Sequence, residues 1–268
     1  MKALEEEKNI VLIKIGGSTL KSETESALIV AEVTKLVEHG ITPILVHGGG
    51  PHINARLQAL GVEPQFKNGL RVTDATTLDV VIDELNNVNH KLRSLFAEKG
   101  IETVAINDSN ELFNCKQQKN GELGFVGEIT SVNLDNFVFC DATVVPVVAP
   151  SGVDEFGQKY NINADHAAMA LAAALNVKTL VYLSDVPGLM KDMEDPESLV
   201  KELAPEEAKA IIDSGELKGG MIEKLANSIE ALMRGVEQVC IADGRVDGTL
   251  LKAALRQFFV GTTIKARA

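Results

Sequence analysis

Residues 10–18 read Ile-Val-Leu-Ile-Lys-Ile-Gly-Gly-Ser, an apolar run that ends in a lysine and a pair of glycines. A nearly continuous apolar run is typical of a strand buried on both faces of a parallel sheet. Glycines directly after such a strand let backbone N–H groups approach an anion, and Lys14 adds a positive charge there. The stretch predicts the first strand of an α/β fold and a candidate phosphate site. A plain glycine turn beside a surface lysine is the alternative that it leaves open.

The rest of the chain repeats this alternation of short apolar runs and helical patterns. Further buried strands are predicted at residues 41–46, 103–106, 143–148, 179–183 and 238–241. Helices are predicted between Ser22 and Gly40, after Asp74, and at residues 164–175, 205–213, 221–234 and 249–258. Residues 66–72, 113–128 and 152–160 are typical of projecting β-hairpins. The fold class predicted is α/β, a three-layer αβα sandwich with a mainly parallel central sheet.

Composition excludes several classes of function. The chain has 268 residues and a formal net charge of -12, so a broad nucleic-acid surface is not expected. Its apolar stretches are too short to span a membrane and its N-terminus is acidic, which predicts a cytoplasmic protein. Cys115, Cys140 and Cys240 lie far apart in the sequence, with no metal-binding spacing, and are predicted to be buried free thiols.

A second glycine turn, Gly48-Gly49-Gly50-Pro51, also follows a predicted strand. Three glycines before a helix leave its N-terminus open to an anion, and proline suits the first helical turn. A flexible loop is the alternative, but glycines lose much entropy when they are ordered. Two such turns on neighbouring strands favour a shared anion site. His47, just before the glycines, is predicted to be a structural histidine.

Two polar motifs follow these turns. Arg71 stands just before a predicted helix and can hold a carboxylate through two hydrogen bonds, although a surface salt bridge fits equally well. Asn161 and Asn163 precede Asp165 at the start of an alanine-rich helix. Capping and dipole complementarity explain Asn163 and Asp165. They do not explain Asn161, whose amide is predicted to reach into a cleft.

The C-terminal part of the chain contributes two more motifs. Asp185 follows a predicted strand in a turn and is placed to meet a ribose hydroxyl or an ordered water, unless the turn is merely structural. Gly219 and Gly220 open a helix that carries Lys224 in its first turns. A lysine there is unfavourable against the helix dipole, which hints at an anionic partner, whereas an exposed lysine is the common alternative.

These six motifs, in this order from Lys14 to about Ile264, resemble the amino-acid kinase family. Within it, residues 68–73, 161–165 and 219–224 are similar to the branch that phosphorylates N-acetyl-L-glutamate. The resemblance implies the amino-acid kinase fold, with an N-terminal lobe, 1–177, that binds the amino acid and dimerises. It implies a C-terminal lobe, 178–268, that binds ATP. The soft boundary near residue 177 has no linker.

The resemblance also implies roles for individual residues. Lys14 and Lys224 would stabilise the transferring phosphoryl group, and Asp165 would hold both lysines. N-acetyl-L-glutamate would be held by Gly49, Gly50, Arg71 and Asn161. Nucleotide and phosphate would be held by Gly16, Gly17, Asp185, Val186, Pro187, Gly188, Leu189, Met190, Gly219 and Gly220.

The expected reaction is direct in-line transfer from ATP to the γ-carboxylate in arginine biosynthesis. Mg²⁺ would be carried by ATP, with no metal ligands from the protein. A kinase of a related acid, such as a carrier-linked aminoadipate, and a non-catalytic sensing subunit are the alternatives. Residues 106–110 lack a glycine-rich turn common in the family, and Glu223 stands where proline is common. Arginine-inhibited members of the family that this sequence resembles have an extra N-terminal helix that builds a hexamer. Because the segment before the first strand is short here, the resemblance implies a homodimer that arginine does not strongly inhibit.

Overall fold

The computed structural model describes residues 9–20, 22–137, 144–192, 194–217, 219–256 and 260–266. The described strands are β1 (Ile10–Ile15), β2 (Thr42–His47), β3 (Phe66–Lys67), β4 (Leu70–Arg71), β5 (Thr103–Ile106), β6 (Phe113–Gln117), β7 (Gly127–Val132), β8 (Val145–Val148), β9 (Ser151–Val153), β10 (Lys159–Asn161), β11 (Thr179–Ser184), β12 (Glu202–Leu203), β13 (Gln238–Asp243) and β14 (Thr262–Lys265). The α-helices are α1 (Glu23–Glu38), α2 (Gly50–Ala59), α3 (Ala75–Glu98), α4 (Ala164–Ala174), α5 (Pro205–Asp213), α6 (Gly220–Met233) and α7 (Thr249–Ala254).

The central sheet has eight strands in the order β12-β14-β13-β11-β1-β2-β8-β5. Every neighbouring pair is parallel except β13 and β14. This confirms the mainly parallel sheet and the strands predicted from buried apolar runs. The sequence interpretation missed β12 and β14, because the two residues of β12 carry too short a pattern and the residues of β14, Thr-Thr-Ile-Lys, form no apolar run.

Helices cover both faces of the sheet, which confirms the three-layer sandwich. Helices α1, α3 and α7 pack on one face, whose core includes Ile13, Leu45 and Val181. Helices α4, α5 and α6 pack on the other, with Leu12 and Tyr182 among its buried residues. None of the helices in the described ranges is long and apolar enough to cross a membrane.

Local signals fix several helix ends as predicted. Ser22 and Glu25 form the capping box of α1, Gly40 after it has a φ of 71°, and Asp74 accepts a hydrogen bond from the Thr77 N–H of α3. The predicted end of α7 at residue 258 and the start of β8 at residue 143 lie outside the described residues.

The three predicted hairpins are present. β3 and β4 form a two-stranded antiparallel sheet. β6 pairs antiparallel with β7, and β9 with β10, within a four-stranded sheet of order β10-β9-β6-β7. These hairpins stand at the carboxyl edge of the central sheet, where parallel α/β folds bind their ligands.

The connections around β1 place the site. β1 lies between β2 and β11. The chain leaves the carboxyl end of β1 through α1 on one face of the sheet, whereas it leaves the carboxyl end of β11 through α5 and α6 on the other face. A crevice opens outside the carboxyl ends of two strands whose connections leave on opposite faces. The glycine turn after β1 therefore lies at the natural ligand crevice of the sheet, and the turn after β2 lies beside it.

Two of the three cysteines predicted to be buried free thiols are described by the structure, and both are buried. Cys115 and Cys240 are free and buried, and burial raises the pKa of each to about 12. Cys140 lies outside the described residues.

His47 is a structural residue at the end of β2, as the sequence predicts. It is fully buried, and its Nδ1 lies 3.1 Å from the Gly48 carbonyl oxygen, to which it donates. The amide of Asn89 donates to Nε2 over 3.3 Å, so the neutral tautomer has both nitrogens satisfied. Burial lowers the pKa of His47 from 6.5 to about 4.

A neutral buried histidine makes stability depend on pH. The unfolded chain binds a proton below about pH 6.5 and the folded chain only below about pH 4, so stability present at neutral pH is lost as the pH falls between these values. Between pH 7.5 and pH 5 we expect His47 to account for a loss of about 2 kcal/mol of unfolding free energy. Urea titrations at the two pH values measure it. The variant His47→Gln should show a weaker dependence of the unfolding free energy on pH. An equally steep loss of stability in that variant would mean that other groups cause it.

Candidate active site

Two lysines from distant parts of the chain meet on one carboxylate. The Lys14 Nζ lies 2.6 Å from Asp165 Oδ1, and the Lys224 Nζ lies 3.1 Å from Asp165 Oδ2. Lys14 is the penultimate residue of β1, Asp165 lies in the first turn of α4, and Lys224 lies in the second turn of α6. The structure therefore brings together the three residues that the sequence assigns to phosphoryl transfer.

This cluster is buried and carries a net positive charge. The three side chains are 9%, 8% and 13% exposed for Lys14, Asp165 and Lys224. Burial alone raises the pKa of the Asp165 carboxyl, but the two ammonium groups outweigh it, so the pKa lies below its usual value. Asp165 is thus an anion at neutral pH. Two cations against one anion leave an excess charge for a ligand.

The two glycine turns touch each other through their backbones. A Cβ on Gly17 would lie 3.0 Å from the Gly50 nitrogen and 2.8 Å from Pro51 Cδ. A Cβ on Gly48 would lie 2.9 Å from the Gly17 nitrogen, and one on Gly49 would lie 2.9 Å from Leu85. Side chains at Gly17 and Gly48 would push the two turns apart, and one at Gly49 would clash with Leu85 of α3. The glycines therefore allow the backbone nitrogens of both turns to gather in one place.

Gly16 differs from its neighbour. Its N–H donates to the Leu183 carbonyl oxygen over 3.0 Å, which extends the pairing of β1 with β11. A Cβ on Gly16 would also lie 3.1 Å from that oxygen. The expectation that Gly16 gives its N–H to phosphate is not supported, because this donor is engaged in the sheet. Gly16 shapes the turn.

A cavity of ≈ 230 Å³ adjoins the cluster and the glycine turns. Its lining includes both glycine turns, the β3–β4 hairpin and the start of α4. The charged residues that line it are Lys14, Asp165 and Arg71. Arg71 and Asn161, which the sequence places on the amino acid, both lie in this lining.

Arg71 is a buried cation without an acidic partner among the residues described. It is 8% exposed, and burial lowers its pKa. Its Nη2 donates to Asn54 Oδ1 over 2.5 Å and to the Gly50 carbonyl oxygen over 3.4 Å. Its Nη1 is buried and has no hydrogen-bond partner within the described ranges. Arg71 forms no salt bridge with the described residues, so the alternative of a surface salt bridge is not supported. The guanidinium therefore retains a donor for an anion in the cavity.

The two asparagines before α4 have different tasks. The Asn163 side chain caps α4 by accepting from the Asp165 and His166 N–H groups over 2.8 Å and 3.2 Å. Asn161 lies in the cavity lining, and its amide donates to Thr73 Oγ1 over 3.1 Å. The capping interpretation is therefore confirmed for Asn163, and both asparagines line the cavity.

The segment after β11 is only partly open. Asp185 and Pro187 are exposed and Val186 is half-buried, whereas Gly188 and Leu189 are buried. The Leu189 N–H donates to Thr262 Oγ1 over 2.8 Å. Met190, at the end of the segment, forms an antiparallel β-bridge with Leu199. Its first half can contact a ligand, and its second half anchors the turn to β14.

The start of α6 lies close to the Lys224 ammonium. A Cβ on Gly220 would be 3.6 Å from the Lys224 Nζ, and Gly219, the N-cap, has a φ of 70° and no side chain to cap the helix. Both glycines thus lie beside the cationic cluster, as an anion-binding helix start requires.

The sequence interpretation missed three residues of the site. Asn54 holds Arg71, the Phe66 ring lies 4.8 Å from the Arg71 guanidinium carbon, and the Tyr182 hydroxyl donates to the Asp165 carbonyl oxygen over 3.2 Å. Phe66 and Arg71 stand opposite each other in the hairpin register, so the hairpin pattern could have indicated that pair. Asn54 and Tyr182 make contacts that no local spacing encodes.

Comparison with known proteins agrees with the resemblance to the amino-acid kinase family. The model of the amino acid kinase family matches residues 9–243, and the chain belongs to this family. An acetylglutamate kinase of Acaryochloris marina (strain MBIC 11017) is 40% identical over 261 residues, which cover 96% of this chain and 91% of the relative. One of Thermoanaerobacter sp. (strain X514) is 37% identical over 258 residues, covering 95% and 86%.

Solved structures share the fold. An N-acetylglutamate synthase from Neisseria gonorrhoeae, complexed with coenzyme A and N-acetyl-glutamate, matches with a TM-score of 0.84 at 23% identity; the match covers 97% of this chain and 60% of the synthase. A carbamate kinase from Giardia lamblia bound to AMP-PNP matches with a TM-score of 0.73 at 16% identity, covering 97% and 99%. At these identities the likeness shows the fold alone.

The buried ion cluster makes a prediction for stability. Asp165→Asn removes the charge that compensates two buried ammonium groups, so we expect the free energy of unfolding to fall by about 3–5 kcal/mol. Guanidinium titrations monitored by circular dichroism measure it. The double variant Lys14→Met/Asp165→Asn should lose less than the sum of the two single variants, because one uncompensated charge is then absent. Strictly additive losses would contradict the coupling.

Proposed function

We propose that this protein transfers the γ-phosphoryl group of ATP to the γ-carboxylate of N-acetyl-L-glutamate, forming N-acetyl-L-glutamyl 5-phosphate in arginine biosynthesis. One observation carries the proposal. Two lysines share Asp165 at one end of a cavity, and Arg71 lines the same cavity without an acidic partner in the described part of the chain. Such a site can hold an anion at each end.

The chemistry requires positive charge more than it requires a base. A carboxylate is already ionised at neutral pH and needs no proton removed before it attacks. The obstacle is the approach of an anion to the triphosphate, so catalysis comes from positioning and from fixed cations. Lys14 and Lys224 supply those cations, and Asp165 keeps their ammonium groups at fixed points without cancelling both charges. Transfer is direct and in line.

Backbone donors complete the phosphoryl site in this proposal. Gly17 gives its N–H to the transferring phosphoryl group, and Gly49 and Gly50 give theirs to the attacked carboxylate. Helix α2 begins at Gly50 and has Gly49, which has no side chain, as its N-cap. Its first N–H groups are thus left for an anion.

The two substrates occupy different parts of the chain. Residues 1–177 hold the amino acid, with Arg71 on its α-carboxylate and Asn161 beside it. Residues 178–268 hold ATP, with Asp185, Val186 and Pro187 at the nucleotide and Gly219 and Gly220 at its phosphates. The two lobes share one sheet, because β11 pairs with β1 from Val11 to Ile15. Relative motion of the lobes is therefore limited to what a continuous sheet allows.

Mg²⁺ enters with ATP as part of the substrate. The carboxylate nearest the phosphoryl site is that of Asp165, and both of its oxygens face lysines. No group of three or more metal-ligating His, Cys, Asp or Glu side chains is found in the residues that the structure describes. In this proposal Mg²⁺ is carried mainly by the phosphate oxygens of ATP and by water. We further propose a cytoplasmic homodimer that arginine does not strongly inhibit; a hexamer in light scattering would contradict this.

The lysines provide the first test. Lys14→Ala and Lys224→Ala should each lower kcat by about a hundredfold or more, because each removes a fixed charge from the transferring group. A hydroxamate assay with N-acetylglutamate, glutamate, aspartate and aminoadipate measures both rate and substrate choice. Lys209→Ala, at an exposed lysine paired with Asp213, is the control and should be fully active. Unchanged kcat in either site variant rejects its role, and faster turnover of aminoadipate rejects the substrate.

Arg71 provides the second test. Arg71→Ala should raise the KM for N-acetylglutamate by on the order of 10- to 100-fold, since a hydrogen-bonded charge contact is lost, and should leave the KM for ATP unchanged. Initial rates with each substrate varied in turn give the two constants. A raised KM for ATP with an unaltered KM for the amino acid would reassign Arg71 to the nucleotide.

A further inference from the structure

The contact between Asn54 and Arg71 is unusual in its charge. A buried guanidinium is most often paired with a carboxylate, which both orients and neutralises it. Here the partner on α2 is a neutral amide, whose Oδ1 lies 2.5 Å from Arg71 Nη2. The amide orients the guanidinium and leaves its charge uncompensated within the described structure.

Other contacts restrict the same group. The Phe66 ring lies 4.8 Å from the guanidinium carbon, and the Gly50 carbonyl oxygen accepts from Nη2 over 3.4 Å. Phe66 covers the guanidinium although the residue as a whole is 54% exposed. With Nη2 held on one side and the guanidinium carbon over the Phe66 ring, Nη1 is the buried donor that has no partner among the described residues. The arrangement fixes one edge of Arg71 and keeps the other for a ligand.

The position of Asn54 links this arrangement to the glycine turn. Asn54 lies one turn after Gly50 on the same helix, and Gly50 lines the cavity. The helix start that gathers backbone donors therefore also sets where the guanidinium lies. The distance between the two anion-binding points of the cavity is determined by one rigid element.

We propose that Asn54 is a positioning residue that makes the cavity selective for acylated amino acids bearing an α-carboxylate. This inference rests on the proposed function. An amide holds Arg71 in place and reserves its charge, so a substrate carboxylate becomes the counter-ion that the buried guanidinium lacks. A substrate without that carboxylate leaves the cation buried and unpaired, and is disfavoured for this reason.

The decisive variant is Asn54→Asp. It keeps the size and shape of the side chain and replaces the neutral oxygen with a carboxylate that pairs with Arg71, so folding is not placed at risk. The two substrates are N-acetyl-L-glutamate and 4-acetamidobutanoate, which has the same acetamido group and reacting carboxylate but lacks the α-carboxylate. Steady-state phosphorylation of each, at saturating ATP, gives the two values of kcat/KM.

We expect Asn54→Asp to lower kcat/KM for N-acetyl-L-glutamate about 100-fold, mainly through KM, and to leave that for 4-acetamidobutanoate within about threefold of the unmodified protein. Selectivity for the α-carboxylate would then largely vanish. Asn54→Ala, which frees Arg71 without neutralising it, should lose about tenfold with the first substrate only.

Gln58→Glu is the matched control for added charge. Gln58 is exposed one helical turn after Asn54, so the variant puts the same charge on the same helix without a contact to Arg71. It should alter kcat/KM for either substrate by less than about threefold, because an exposed charge is screened by solvent.

The outcomes distinguish a failure of the role proposed for Asn54 from a failure of the proposed kinase function. Equal losses with both substrates in Asn54→Asp, or no loss with either, overturn the role of Asn54 while the kinase assignment stands. A loss in Gln58→Glu as large as that in Asn54→Asp would assign the effect to the general field of the helix. An unmodified protein that fails to phosphorylate N-acetyl-L-glutamate overturns the proposed function, and the inference with it.

Discussion

The site depends on one electrostatic constraint: two buried ammonium groups share a single buried carboxylate. Removing Lys14 and Lys224 from water is costly, and Asp165 offsets that cost with an oxygen for each. The same arrangement ties β1, α4 and α6 together at one point, although these elements lie far apart in the sequence. Because one anion serves two cations, stability and an excess of positive charge coexist. A carboxylate for each lysine would hold the fold better and leave less charge for a phosphoryl group.

The cavity beside this cluster also contains a buried positive charge that is held in place but not cancelled. Arg71 is oriented by a neutral amide, a carbonyl oxygen and an aromatic face, none of which cancels its charge. Across a chain with a formal net charge of -12, positive charge is thus concentrated in a buried place. An unpaired buried cation destabilises the protein in the absence of an anion. Such an arrangement is easiest to explain where a ligand supplies the missing charge.

Much of the fold could be predicted because its signals are local. A buried parallel strand is a short apolar run, and the caps Ser22 and Asp74 stand beside the helices that they begin. The strand β14 was missed, since its residues, Thr-Thr-Ile-Lys, form no apolar run of the kind that marks the other buried strands. Gly16 and Gly17 look equivalent in sequence, but only tertiary pairing decides that Gly16 donates to Leu183. Adjacent glycines can thus have different tasks that the sequence does not distinguish.

The site was predictable in its charges and not in what orients them. Lys14, Asp165 and Lys224 are conspicuous because each stands at the end of a strand or the start of a helix. Asn54 carries no such signal, because its contact crosses 17 positions to a hairpin whose placement depends on the whole edge of the sheet. A polar side chain in the second turn of a helix is ordinarily solvated. Only the folded structure shows that the Asn54 side chain instead bonds to Arg71. Residues that bring charge to a ligand can therefore be found from sequence, whereas the neutral groups that preserve the charge require the folded structure.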